Sequence, residues 1–288
     1  MGVGMANNLA KAGRQLVVWN RSPEKSRAFA AEHAGCSAAA TPAEASLPNC
    51  SLRSVIAACD VTYLMLSDLE ASNAVYNDAQ GGVLSALKAG KCLVDCATLT
   101  PEHMAKLDRL VTERGGTFLE APVSGSKGPA AQGTLIFLTG GNKALYERAC
   151  PDLDLMGKKS YFFGATGKGT EMKLVVNMTM GSMMACLAEG VSLAEASGLP
   201  VPDLLEVFDL GAMANPMFKI KGPNMIKGEH APNFPLKHAQ KDMRFALGLG
   251  DKVGQPLPVA AAANEIFKRA RVAHGDEDMS AIYEAVKK

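Results

Sequence analysis

Residues 1–22, MGVGMANNLAKAGRQLVVWNRS, decide how the rest of the chain is read. Met5, Leu9 and Ala12 fall near one helical face behind a Gly-x-Gly, so the spacing predicts an amphipathic helix. A short apolar run, QLVVW (15–19), follows and ends in Asn20-Arg21-Ser22. Helix then strand is half of a dinucleotide-binding unit, in which a glycine turn and a helix head hold the pyrophosphate. The first strand of such a unit, ending in Gly-x-Gly-x, is therefore expected ahead of Met1. The end of the second strand meets the adenosine ribose, where an acidic residue would bind a free 2′-hydroxyl. Asn20, Arg21 and Ser22 offer a guanidinium with amide and hydroxyl donors instead, which suits a 2′-phosphate. If a dinucleotide binds, NADP(H) is favoured over NAD(H). Taken alone, Arg21 reads equally as a solvated surface arginine.

Working outward, short apolar runs at 61–66, 92–96, 117–120, 134–139 and 160–163 alternate with helix-like stretches such as 101–114 and 143–156. That alternation predicts a parallel α/β sheet. After Gly164 the strand signals stop. Residues 169–197 contain no proline and predict one helix of about 40 Å or more at 1.5 Å per residue. It would link an α/β domain, 1–165, to an all-α domain, 166–288. The stretch SLPNCSLRS (46–54) reads as a surface loop.

Four motifs carry candidate chemistry. EAPVSGSKGPAAQGTL (120–135) places Ser124, Gly125 and Ser126 at a strand end, where backbone N–H groups and hydroxyls are open to a small carboxylate. A ligand-free glycine-rich turn fits the same spacing. GKGTEMKLVVNMTMG (167–181) puts Lys173 and Asn177 four apart on a helix face that is otherwise apolar. A shielded lysine can protonate a carbonyl oxygen, because burial lowers its pKa toward working pH; most helical lysines, however, are solvated. MLSD (65–68) and DCATLTPE (95–102) lie where strands end and helices start, the place at which a doubly wound sheet binds ligands. Thr100, before Pro101, reads as a helix N-cap. FPLKHAQKDMRFAL (234–247) carries Lys241-Asp242, which as a surface ion pair would be worth little.

These motifs together resemble the β-hydroxyacid dehydrogenase family, and most closely its plant-type glyoxylate/succinic semialdehyde reductase branch. The family opens on Gly-x-Gly-x-Met-Gly at a strand-to-helix turn, to which Met1-Gly2 corresponds. The resemblance implies a Rossmann-type doubly wound sheet, its first strand absent from the chain, followed by an all-α domain. It implies Lys173 as catalytic acid/base with Asn177 as its positioning partner. Ser124, Gly125 and Ser126 would hold the substrate carboxylate, with Phe234 and Asp242 nearby. Gly2, Asn20, Arg21, Ser22, Leu66, Ser67, Thr98 and Lys241 would hold the cofactor, NADPH. The implied reaction is NADPH-dependent reduction of a small carboxylate-bearing aldehyde, glyoxylate to glycolate or succinic semialdehyde to 4-hydroxybutyrate. A 3-hydroxyisobutyrate-type dehydrogenase using NAD is the first alternative, and Arg21 argues against it. A non-catalytic scaffold relative is the second, and Lys173 argues against that.

Composition bounds the rest. A net charge of +1 over 288 residues provides no global field for nucleic acid or an anionic membrane. No apolar run reaches the roughly 18 residues of a membrane span. Seven cysteines, without Cys-x-x-Cys or Cys/His ligand spacing, read as reduced thiols, and no metal site is expected. A cytoplasmic setting is expected, or a plastid or mitochondrion if a transit peptide precedes Met1. The stretch LPVAAAANEIF (257–267) suggests subunit packing, and the resemblance implies a homodimer or homotetramer.

Overall fold

The structure is a computed structural model and describes residues 1–39, 52–78 and 81–287. The chain divides into two compact units, Met1–Lys173 and Leu174–Lys288. The first begins with α1 (Gly2–Lys11), β1 (Leu16–Val18), α2 (Pro23–Glu32), β2 (Cys36–Ala38), α3 (Leu52–Ala58), β3 (Val61–Leu64), α4 (Leu69–Asn77) and α5 (Val83–Ala86). It continues through β4 (Cys92–Asp95), α6 (Pro101–Thr112), β5 (Thr117–Glu120), β6 (Val123–Ser124), α7 (Lys127–Gln132), β7 (Leu135–Gly141), α8 (Lys143–Met156) and β8 (Gly157–Phe162). Helices alone follow: α9 (Lys168–Ala196), α10 (Val201–Leu210), α11 (Pro216–Lys227), α12 (Leu236–Val253), α13 (Pro258–His274) and a 3-10 segment, Met279–Ala285. Of the loop expected at 46–54, residues 46–51 lie outside the described residues; the last three open α3.

The sheet is mixed, which corrects the all-parallel expectation. β3, β4 and β5 are parallel neighbours, and β1 and β2 form a separate parallel pair. β7 runs antiparallel to both β5 and β6, in one unbroken register from Leu119↔Gly141 to Ser124↔Ile136. β5 and β6 are thus one strand, interrupted at Pro122, which has no N–H to donate. The connection to β7, 125–134, carries only the six-residue α7, too little for the helical crossover a parallel return requires. β2 and β6 escaped the sequence reading because three and two residues give no measurable alternation.

Alternate side chains leave the sheet on opposite faces. Leu93 and Phe118 join Leu64, Tyr76, Met104, Leu107 and Val111 on one side. Val94 and Leu119 join Met5, Leu9, Phe137, Leu145 and Leu153 on the other. All four residues of β4 are buried, as expected of a strand covered on both faces. In the second unit, Leu187, Val191, Leu236, Met243, Phe267 and Ile282 form a separate core.

α9 is long and apolar enough, by length and composition, to cross a membrane, contrary to the sequence expectation. Its Leu174, Met184, Leu187, Ala188 and Val191 are buried in protein, so a core helix passes the same test. The stretch 257–267 also departs from expectation. Ala260, Ala263, Ile266 and Phe267 are spent on the unit's own core, leaving Val259 exposed.

The packing of α1 is set by a glycine. A Cβ at Gly4 would stand 2.8 Å from the backbone carbon of Ala130 in α7, and Asn8 Nδ2 donates to the Ala130 carbonyl at 2.9 Å. Gly4→Ala would gain about 1 kcal/mol of helix propensity. We nevertheless expect it to destabilise the fold by about 1–3 kcal/mol through overpacking. Urea unfolding tests this; wild-type stability would mean that α1 does not press on α7.

Candidate functional site

In the first unit, the helix heads sort into closed and open. Asp68 caps α4 at Ala71 N, Thr100 caps α6 at His103 N, and Asn142 caps α8 at Leu145 N. The N-cap positions of α1, α2, α5 and α7 make no such side-chain bond; α1 has no acid in its first turn, whereas α2 carries Glu24 there. Open N–H groups at a helix head favour an anion. Asn20, Arg21 and Ser22 form the turn from β1 into α2, with the Ser22 N–H donating to Asn20 Oδ1 at 2.9 Å. Asn20 and Arg21 are exposed, so the guanidinium is open to a phosphate. Such a turn at the head of α2 fits a phosphorylated dinucleotide.

The other expected residues of this region follow the parallel strands. Leu66, just beyond β3, is half-buried against the core rather than wholly open. Ser67 is exposed and its hydroxyl donates to Asp68 Oδ2 at 2.8 Å. Thr98 is half-buried after β4, and Thr100 caps α6 as its sequence position predicts. Ser124 ends β6, Gly125 is exposed at φ +122°, and Ser126 precedes α7. The backbone of this turn is therefore open to close approach, as the small residues predicted.

Lys173 is buried on α9, with only 6% of its surface exposed, and Asn177 lies one turn further along. In the helical unit Asn177 Nδ2 donates to Asp242 Oδ2 at 2.6 Å. Asp242 Oδ1 stands 3.0 Å from Lys241 Nζ, an ion-pair distance without hydrogen-bond alignment. The Lys241 ammonium also lies 5.0 Å from the centre of the Phe245 ring. Asn177, Lys241 and Asp242, far apart in sequence, therefore share one buried cluster. Lys241-Asp242 is not a solvated surface pair. Phe234 sits apart from this cluster in its bonding, half-buried against the core with its N–H held by Asp278 Oδ2 at 3.1 Å.

Three acids that no sequence motif singled out organise these elements. Glu120, fully buried at the end of β5, accepts from Gly167 N and Gly169 N at 2.8 Å and Thr170 N at 3.2 Å on Oε1. Its Oε2 accepts from the Thr170 hydroxyl at 2.7 Å. Burial pushes its carboxyl up to about 7 in spite of these donors. Asp95, its neighbour in register on β4, accepts from the Tyr76 hydroxyl and from Ala97 N, both at 2.9 Å. Burial pushes it up to about 6. Asp278 binds Lys221 Nζ at 2.6 Å and accepts from the N–H groups of Asn233, Phe234 and Ser280. Burial alone would raise its carboxyl, but Lys221 and the N–H donors hold it below the usual carboxylate range. The available signal was an acid inside an apolar run, VDC or FLEA, where a buried carboxylate requires partners. Among the described residues no group of three His, Cys, Asp or Glu could hold a metal, and six cysteines are free thiols. A cavity of about 270 Å³ between α10 and α11 contains none of the expected site residues.

Residues 1–165 match the family model described as the NAD binding domain of 6-phosphogluconate dehydrogenase. Residues 167–286 match the family model described as NAD-binding of NADP-dependent 3-hydroxyisobutyrate dehydrogenase. The chain is 49% identical over 288 residues to glyoxylate/succinic semialdehyde reductase 1 of Arabidopsis thaliana, covering 100% of this chain and 95% of that protein. It is 46% identical over 289 residues to the chloroplastic glyoxylate/succinic semialdehyde reductase 2 of the same plant, covering 100% of this chain and 77% of that one. In fold it is similar to the crystal structure of 3-hydroxyisobutyrate dehydrogenase from Salmonella typhimurium, with a TM-score of 0.86 at 24% identity, over 98% of this chain and 95% of that one.

Asp95 makes stability depend on pH. Its folded pKa is raised, so the stability it contributes is present below about pH 4 and is lost as pH rises through about 6. Asp95→Asn removes that titration. Relative to the variant, wild type should lose on the order of 2–3 kcal/mol between pH 4 and pH 7. Denaturant midpoints across this window test it; a difference independent of pH would mean that Asp95 does not titrate there.

Proposed function

The chain belongs to the β-hydroxyacid dehydrogenase family of NAD(P)-dependent oxidoreductases, and from that premise we propose that it reduces small carboxylate-bearing aldehydes with NADPH. Glyoxylate and succinic semialdehyde are the proposed substrates, glycolate and 4-hydroxybutyrate the products. The observation that carries this reading is Lys173, buried on α9 one turn before an asparagine whose amide is already engaged. The cofactor, when bound, supplies a hydride to the aldehyde carbon. Lys173 gives a proton from Nζ to the carbonyl oxygen. Asn177, one turn along α9 and held by Asp242, orients the Lys173 ammonium.

Ser124, Gly125 and Ser126 anchor the substrate carboxylate through backbone N–H groups and hydroxyls, which fixes one end of the molecule and tolerates two chain lengths. Phe234 and Asp242 lie to the substrate side. Gly2 at the open head of α1, Leu66, Ser67, Thr98 and Lys241 hold the cofactor. Arg21, with Asn20 and Ser22, holds its 2′-phosphate, which favours this reading over an NAD-dependent 3-hydroxyisobutyrate-type enzyme. The exposed Leu193, Val207, Leu210 and Val272 support assembly as a homodimer or homotetramer. The free thiols support a reducing compartment such as the cytoplasm.

Two substitutions test the roles. Lys173→Ala should lower kcat about 100- to 10,000-fold, the scale for losing a general acid, and leave NADPH binding nearly unchanged. Steady-state kinetics with glyoxylate decide this, and near-normal turnover would remove Lys173 from the chemistry. Arg21→Ala should weaken NADPH by about 1.5–3 kcal/mol, as for a hydrogen bond to a charged group, and spare NADH. Fluorescence titration of both cofactors measures it; equal losses would make Arg21 a support for its loop and not a reader of the phosphate.

A further inference from the structure

Glu120 has no part in the reaction as described, yet its donors all come from one short span of chain. Four donors converge on it, and all belong to the four-residue span 167–170 at the head of α9. Lys173 follows Thr170 by three residues and Gly169 by four, so it stands one turn above the carboxylate. We propose that Glu120 is a positioning residue for Lys173, fixing the first turn of α9 so that the ammonium is delivered to one place. The proposal rests on the reading of Lys173 as the proton donor.

The surroundings are shaped for this contact. A Cβ at Gly140 would come within 2.7 Å of Glu120 Oε1, and one at Gly169 would collide with the Leu138 carbonyl. Both glycines let strand β7 and the head of α9 close around the carboxylate. The chain leading into α9 turns at two glycines in the left-handed region, Gly164 at φ +95° and Gly167 at φ +102°. Without Glu120, the N–H groups of Gly167, Gly169 and Thr170 would be buried donors with no acceptor, and the first turn would fray or shift. A negative charge is also favoured at a helix head.

Both protonation states of Glu120 can be accommodated. The ionised form accepts from the Thr170 hydroxyl. The protonated form donates to it from Oε2 while Oε1 keeps its three N–H bonds. A glutamine reproduces this second arrangement, with Nε2 donating to Thr170 Oγ1. The burial that pushes the carboxyl up to about 7 is consistent with a site that serves in either state.

The test compares Glu120→Ala, Glu120→Gln, Lys173→Ala and the Glu120→Ala/Lys173→Ala double variant in glyoxylate reduction with NADPH. Glu120→Ala should lower kcat by about tenfold or more, since small misplacements of a reacting group carry costs of this size, with the KM for NADPH within about twofold of wild type. Glu120→Gln should restore kcat to within about threefold of wild type, because it rebuilds the hydrogen bonds. In the Lys173→Ala background, Glu120→Ala should add less than about twofold, because residues that act as one unit are non-additive. Wild-type kcat in Glu120→Ala, or a full additional loss in the double variant, overturns the proposal while leaving Lys173 in its role. Normal turnover in Lys173→Ala refutes instead the reading on which it rests. If Glu120→Ala does not fold, Thr170→Val, which removes only the donor to Oε2, takes its place in the series: a kcat loss of about threefold or more supports the proposal, and an unchanged kcat overturns it.

Discussion

A carboxylate buried at the centre of a sheet cannot be left alone, and the first unit is built around that fact. Glu120 ends β5 fully buried, where an isolated charge would cost several kcal/mol after relaxation. The solution is to bring the N-terminus of the longest helix to it. Three N–H groups and a hydroxyl of α9 meet the two carboxylate oxygens. The head of α9 is therefore held to the end of β5 by polar, directional contacts within the first unit. Glycines at 140 and 169 are required there because side chains would fill the space this contact uses.

The same logic recurs elsewhere. Asp95 accepts from Tyr76 and Ala97, tying α4 to the end of β4, and the buried Ser72–His103 bond ties α4 to α6. In the helical unit Asp278 gathers Lys221 and three backbone N–H groups, fixing the segment that leads into α12. Apolar burial supplies the bulk of stability in such a chain. It does not specify how the ends of elements meet. Satisfied buried polar groups do, because each unmade bond costs about 1–3 kcal/mol.

Expected site residues differ in how they are held. Lys173, Asn177, Lys241 and Asp242 are buried and lie on long helices. Asn20, Arg21, Gly125 and Ser67 are exposed on turns at the ends of short strands. The division does not follow the expected roles: Lys241, expected at the cofactor, is buried, whereas Gly125, expected at the substrate, is exposed. Groups that act on a reacting atom gain from rigid, water-poor positions.

The sequence by itself determined the class of fold, because strand and helix periods differ and their alternation survives in single residues. It determined the bounds of α8, the N-cap at Thr100, the open Ser-Gly-Ser turn and the shielding of Lys173, all of which follow from local spacing. It also implied the family, through short motifs whose chemistry depends on residue type. Only the tertiary structure decided that β7 returns antiparallel, since the direction of a strand depends on what its connection can span. Only the tertiary structure decided that Asn177 binds Asp242, and that Lys241-Asp242 is buried rather than solvated, because residues 65 positions apart carry no local trace of one another. The role of Glu120 was hidden for the same reason. Its position in an apolar run indicated that a partner was needed, but the partner is a set of backbone N–H groups, which every residue type except proline offers and no sequence pattern can identify.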